Sequence, residues 1–278
     1  MNFVVEKPSL NNLPNHFSSV YKAFHSSLPN TGDVIDLSAL EFINPLTILP
    51  VATIASAQGC KVIPPNDPNA SSYLKTIHFP DGVESVPRTG GSYIPIGHLV
   101  GGDDPTGKER LESGIVQLIL SNLSPSDKIG TNPIAYPISE IVTNIFDHSA
   151  SNEGWLLGQY YAKKKQLELC ILDRGQGVAK SYLSGKGLKY SDKEALERAL
   201  SGESAKKSKE RGYGLRTSRN MISNGLGGQV LIYSGNAGFV SMGGNERMFE
   251  LPDFYWQGVI VAFCIPTGKN IDITPYLE

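Results

Sequence analysis

The sequence predicts an α+β protein in two parts, and three features of its patterning carry that expectation. Before residue 88, short apolar strands alternate with helices. After residue 105, two helical stretches come first and several strand candidates return late, in runs suited to antiparallel pairing. Between them, residues 88–105 (RTGGSYIPIGHLVGGDDP) carry the glycines and prolines of a connector. The expected division is 1–92 for a small α/β unit, 93–105 for the connector and 106–278 for the larger part.

The first part opens with irregular or helical sequence, then gives Asp33-Val34-Ile35-Asp36-Leu37, a short apolar strand ending in a turn. Residues 46–57 read as a helix despite Pro50, Lys61-Val62-Ile63 as another strand, and 71–77 as a second helix. Within the connector, Tyr93-Ile94-Pro95-Ile96 suits a short edge strand. In the second part, 106–120 is amphipathic and 134–149 is helical. Strands are expected at 155–161 and 167–172, a charged helical region at 181–211 and a further helix at 215–223. The segments 229–233, 238–241 and 259–265 close the pattern as strands.

Composition narrows the function classes. The chain has 278 residues, 40% of them hydrophobic, with a net charge of −2, so it carries no basic excess of the kind a dedicated nucleic-acid binder shows. Cys60, Cys170 and Cys264 are far apart and lack metal-ligand spacing; the last two sit in apolar runs and read as buried thiols of a reducing compartment. The start, MNFVVEKPSL, has neither the cationic segment nor the apolar core of a signal peptide, and 46–57 is too short to cross a bilayer. A cytoplasmic protein is expected.

Three blocks carry candidate chemistry. The first is Tyr136-Pro-Ile-Ser-Glu-Ile-Val-Thr-Asn-Ile-Phe-Asp-His148. Glu140, Asn144 and His148 recur every four residues, which on a helix aligns them in one stripe turning about 40° per step. Apolar residues cover the other faces, and an acid and an amide on a buried helix need partners. A solvent-facing polar stripe explains the same spacing.

The second block, Leu169-Cys-Ile-Leu-Asp-Arg-Gly-Gln-Gly-Val178, is an apolar strand running into Asp173, Gly175 and Gly177. A carboxylate at a strand end accepts an exocyclic amine, and glycines admit a ligand close to the backbone. A plain strand with an Asp-Gly turn fits equally. The third block, Arg211-Gly-Tyr-Gly-Leu215, opens a helix and follows Lys206, Lys207 and Lys209. Free amides at a helix start favour phosphate, and the lysine run suits a lid over it. A glycine-containing helix start behind a solvated charge run is the alternative.

In this order and at these separations, the blocks resemble the N, G1 and G2 boxes of the GHKL superfamily. Its members include histidine-kinase catalytic domains, gyrase-type ATPases, Hsp90-like chaperones and anti-sigma-factor serine kinases. The resemblance spans about 106–266, with Gly227-Gly228-Gln229 and Gly258-Val259-Ile260 similar to the start of the family's last strands. It implies a Bergerat-type α/β sandwich, a mixed sheet covered by helices on one face, that binds ATP with Mg²⁺. By that resemblance Glu140 activates or orients the nucleophile and Asn144 ligates Mg²⁺. Asp173 reads adenine, Gly175 and Gly177 shape its pocket, and Gly212 and Gly214 lie under the phosphates, with Tyr213 and Leu215 completing that block. Two departures stand out. Val259 occupies a position where family members often carry a Thr that supports the Asp through water, and the third block has only Gly-Tyr-Gly. His148 reads as a helix-packing residue before a phosphate ligand.

Gly32-Asp-Val-Ile-Asp-Leu-Ser38 followed by Phe42-Ile43-Asn44-Pro45-Leu46 is similar to STAS domains, which often partner anti-sigma-type kinases. Pro45 stands where their phosphoacceptor serine is expected, and proline has no hydroxyl to modify. A small α/β packing or dimerisation domain without that ancestry is the alternative.

The combined expectation is an Mg-ATP-binding regulatory protein with weak or partner-stimulated ATPase or protein Ser/Thr kinase activity. It acts with a protein partner, and a homodimer is possible within this reading; neither membrane nor nucleic acid is expected. No phosphoacceptor-histidine hairpin precedes the second part, which argues against an autonomous sensor histidine kinase. A non-catalytic switch, in which ATP closes the lid and changes a protein contact, is the competing expectation.

Overall fold

The computed structural model describes residues 1–84, 92–100, 137, 153–205, 214–267 and 275. The chain begins with β1 (Asn2–Val4), α1 (Leu13–Phe24), β2 (Val34–Asp36), α2 (Pro45–Gln58), β3 (Lys61–Ile63) and α3 (Pro68–Thr76). The three strands form a parallel sheet in the order β1-β2-β3. The stretch before residue 33, expected to be irregular or helical, therefore holds both a strand and a helix. β1 is only three residues long and exists through its pairing with β2 some thirty positions away, a relationship with no local signature.

Local chemistry sets the helix starts. Asn12 and Asn44 cap α1 and α2 by accepting the main-chain N–H groups of Asn15 at 3.0 Å and Thr47 at 2.9 Å, and Asp67 caps α3 in the same way. Each of the three helices carries Pro in its first turn, where no N–H is required. α2 continues through Pro50 and ends at Gly59 in the left-handed conformation. Every residue of α2 from Pro45 to Ala55 is buried. A helix apolar on all sides needs cover on all sides, and α2 has it: α1 beside it and strands of a second sheet across it.

That second sheet contains β4 (Tyr93–Val100), β5 (Glu153–Tyr161), β6 (Gln166–Asp173), β7 (Gln229–Gly235), β8 (Ala237–Met242), β9 (Asn245–Glu250) and β10 (Trp256–Pro266). Its order is β4-β5-β6-β10-β7-β8-β9. Between β6 and β7 come α4 (Gly177–Lys186), α5 (Asp192–Ser201) and α6 (Gly214–Asn220), the last running into a π-helical turn at Met221–Gly225. Within the expected helical region 181–211, Gly187 in the left-handed conformation ends α4, and a capping box between Ser191 and Glu194 starts α5. The expected helices at 106–120 and 134–149 lie outside the described residues, Pro137 excepted.

Two features of the expected sheet are corrected. It is antiparallel at every described neighbour pair rather than mixed. β5–β6, β7–β8 and β8–β9 are joined by short turns, and β10 returns between β6 and β7, so no described pair needs a parallel crossover. Nor is the sheet covered by helices on one face only. Leu169, Ile171, Val230, Ile232, Val261 and Phe263 form one apolar cluster with Leu196 of α5, Leu200 of α5 and Ile222. Their strand neighbours Cys170, Leu172, Leu231, Tyr233, Ile260 and Ala262 join a second cluster with α1 and α2. Both faces are apolar because successive side chains on β6, β7 and β10 are apolar, and each face needs its own layer.

The molecule is thus a mixed α+β structure with a small parallel sheet, a large antiparallel sheet and helices. Cys170 and Cys264 are buried and free, and Cys60 is half-buried. No described helix is long and apolar enough to cross a membrane.

Candidate functional site

β6 and β10 lie side by side in the large sheet, and where β6 ends β10 begins. Asp173, the last residue of β6, is 2% exposed. By strand alternation it shares the α4–α6 face with Leu169 and Ile171. Its Oδ1 accepts the main-chain N–H of Gly175 at 2.7 Å, which folds the 173–177 segment into a tight turn. Its main-chain carbonyl accepts the indole N–H of Trp256 at 3.0 Å.

Opposite Asp173, β10 carries an irregularity between Trp256 and Val259, and Gly258 there has φ +108°. A Cβ on Gly258 would lie 2.2 Å from the carbonyl oxygen of Asp173 and 2.8 Å from its Oδ1. Only glycine admits this approach of two backbones. Ser234, buried at the end of β7, completes the corner. Its hydroxyl donates to the carbonyl of Gly258 at 2.8 Å and accepts the N–H of Val178 at 3.0 Å. One side chain thereby links β7, the β10 irregularity and the first turn of α4. Gly177, with φ +75°, opens α4 where a Cβ would lie 3.0 Å from that hydroxyl.

Burial pushes the Asp173 carboxyl up to about 7, against the opposing pull of the Gly175 and Val259 main-chain N–H groups. A second buried carboxyl, Glu168, faces α1 and α2 from the same strand. Burial also raises it to about 7, while Tyr161 and Gln166 donate to it at 3.2 and 2.9 Å.

The second block is accordingly brought together: Asp173, Gly175 and Gly177 form one corner. From the third block, Gly214 opens α6, and Leu215 packs on the apolar cluster that also receives Val178 and Val259. Gly214 and Leu215 thus lie on the sheet face that bears α4. The buried Ser218 hydroxyl of α6 donates to the carbonyl of Pro137 at 3.3 Å. Pro137 is the one described residue of the first block, so that block and α6 meet there. Glu140, Asn144, His148, Lys206, Lys207, Lys209, Gly212 and Tyr213 lie outside the described residues.

Three residues that shape the corner were not among the expected site residues. Ser234 hides in an apolar run (Leu231-Ile-Tyr-Ser-Gly235) that reads as a strand end, and its hydroxyl matters only through partners 24 and 56 positions away. Trp256 and Gly258 did leave a trace: Gln257-Gly258 interrupts an otherwise apolar run, the pattern of a strand irregularity. Comparison with models of known protein families finds no match, and a search among curated proteins finds none.

Proposed function

We propose that the Asp173 corner binds the adenine of Mg-ATP and that the chain is a regulatory ATPase or protein Ser/Thr kinase of GHKL type. The observation that carries the reading is the buried Asp173 carboxyl at a strand end, crowded by Gly258 and flanked by Gly175 and Gly177. The carboxyl already accepts the main-chain N–H groups of Gly175 and Val259, and the exocyclic amine of adenine would add one more donor to it. Val259 brings no hydroxyl to the carboxyl, and its main-chain N–H, together with that of Gly175, supplies the support instead. The side chains assigned to the nucleophile and to Mg²⁺ are Glu140 and Asn144, and the phosphates are assigned to Gly212 and Gly214. Tyr213 and Leu215 belong to the same nucleotide-binding set.

In this reading Asn144 would hold Mg²⁺ through its amide oxygen, and Glu140 would activate or orient the attacking water or hydroxyl. Glu140→Ala then retains nucleotide and loses turnover, because the acid acts on the nucleophile rather than on the bound ground state. Binding and phosphate release are measured side by side, with and without candidate protein partners. Equal turnover by wild type and the variant removes the enzyme reading and leaves an ATP-gated contact switch. The STAS-like unit is proposed as a constitutive contact surface for a protein partner or a second copy.

A further inference from the structure

The Asp173 corner does not stand on the large sheet alone. Residues 251–255 join β9 to β10 and deliver Trp256 and Gly258 to Asp173, and the N-terminal helix α1 holds this loop. The Tyr21 hydroxyl donates to both carboxylate oxygens of Asp253, at 3.1 and 2.9 Å. The Tyr21 ring meets Phe254 edge-on at 6.1 Å. One turn earlier on α1, Phe17 packs against Phe254 at 6.0 Å and Tyr233 at 4.8 Å. The Tyr233 hydroxyl in turn donates to the carbonyl of Phe254 at 2.7 Å. Two residues beyond Phe254, the Trp256 indole holds the carbonyl of Asp173.

We propose that Tyr21 is a positioning residue for the Asp173 corner: by fixing Asp253 and Phe254 it sets Trp256 and Gly258 against Asp173, so that ligand affinity depends on how α1 is seated. The proposal rests on the nucleotide reading for the identity of the ligand. The physical argument is one of constraint. Gly258 sits so close to Asp173 that a Cβ would fall 2.2 Å from its carbonyl oxygen, and it is reached from a loop that is outside the sheet between Glu250 and Trp256. One internal main-chain bond shapes the loop, Phe254 N–H to Leu251, and a second, Leu251 N–H to Asn236, ties its start to the turn between β7 and β8. Its outer side leans on α1. A partner that engages α1 and competes for Tyr21 would release the loop and loosen the corner, a coupling between two separate places on the surface.

The test uses the full chain labelled with 5-fluorotryptophan, which places one fluorine at Trp155 and one at Trp256. Tyr21→Phe removes the hydroxyl and keeps the ring; Tyr21→Ala removes both; Asp253→Asn weakens the acceptor. Lys22→Met, the next residue of α1, loses only its ion pair with Glu6 and is the control. The expected result is a moved Trp256 resonance with Trp155 unchanged, and faster amide exchange at 256–258. Affinity for a non-hydrolysable ATP analogue with Mg²⁺ should fall about three- to tenfold in Tyr21→Ala, and less in Tyr21→Phe. Tyr21→Phe and Asp253→Asn should be non-additive. A Trp256 resonance and exchange like wild type in Tyr21→Ala overturns the proposal, as does equal movement of both tryptophans, which is general loosening. Unchanged affinity in a protein that binds the analogue also overturns it. If wild type binds no analogue, the nucleotide reading fails, and the resonance and exchange results decide the positioning role by themselves.

Discussion

The indole N–H of Trp256 donates a 3.0 Å hydrogen bond to the main-chain carbonyl of Asp173, across 83 positions of sequence. The same carbonyl has Gly258 pressed against it from β10. The end of β6 is therefore pinned from two directions before any ligand arrives, and its carboxyl is set in one place.

Gly258→Ala should disrupt this corner more than its size suggests. The added methyl would need room already taken by the Asp173 carbonyl, at a φ of +108° that a side chain rarely adopts. A loss of about 2–4 kcal/mol in urea unfolding is expected, combining backbone strain with displacement of β6. A variant within about 0.5 kcal/mol of wild type would mean that β10 can withdraw freely from Asp173.

Stability should depend on pH through Asp173 with a definite sign. Its carboxyl is raised to about 7 in the fold and titrates in the ordinary range when unfolded. The folded chain therefore holds the proton more tightly, so this contribution is fully present below about pH 4 and is lost as pH rises to about 7. Asp173→Asn cannot titrate. The stability of wild type relative to the variant should thus fall by on the order of 2–3 kcal/mol between pH 5 and pH 8. Urea unfolding of both proteins at the two pH values gives the difference; an unchanged gap contradicts the buried, raised carboxyl.

Much of this architecture was legible in the sequence, for reasons tied to particular residues. Lys61-Val62-Ile63 and the run closing at Ile265 announced themselves as strands by apolar, β-branched composition, and α2 did so despite Pro50. Asp173, Gly175 and Gly177 lie within five residues, so their convergence needed only a strand and a turn. What escaped was non-local or polar. β1 depends on a distant partner. β9 (Asn-Glu-Arg-Met-Phe-Glu) is a charged edge strand whose one local sign is the two-residue Gly243-Gly244 turn, both glycines at positive φ. The cover of α1 and α2 over the second face of the large sheet follows from the apolar residues on both faces of β6 and β10, which a one-sided sandwich would leave exposed.

The N-terminal unit should not accept phosphate at the start of α2. Pro45 has no hydroxyl, and Thr47, the nearest one in that helix, is 1% exposed with its hydroxyl donating to the carbonyl of His16 at 3.0 Å. Reaching a γ-phosphate would require α1 and α2 to separate. Intact-mass and peptide mass spectrometry after incubation with Mg-ATP should find no phosphate on Thr47. Stoichiometric modification there would make the chain a self-regulating kinase and would overturn the assignment of this unit as a constitutive contact surface.

The most direct measurement is calorimetry with a non-hydrolysable ATP analogue and Mg²⁺ at pH 8, where the Asp173 carboxyl is ionised, on wild type and Asp173→Asn. The amide at this position offers one acceptor in place of two and sets an N–H₂ group against the amine of adenine. The account predicts saturable binding by wild type and a loss of about 1–3 kcal/mol in the variant, roughly a five- to 150-fold weaker Kd. Equal affinity of the two proteins, or no binding by a folded wild type, would contradict it.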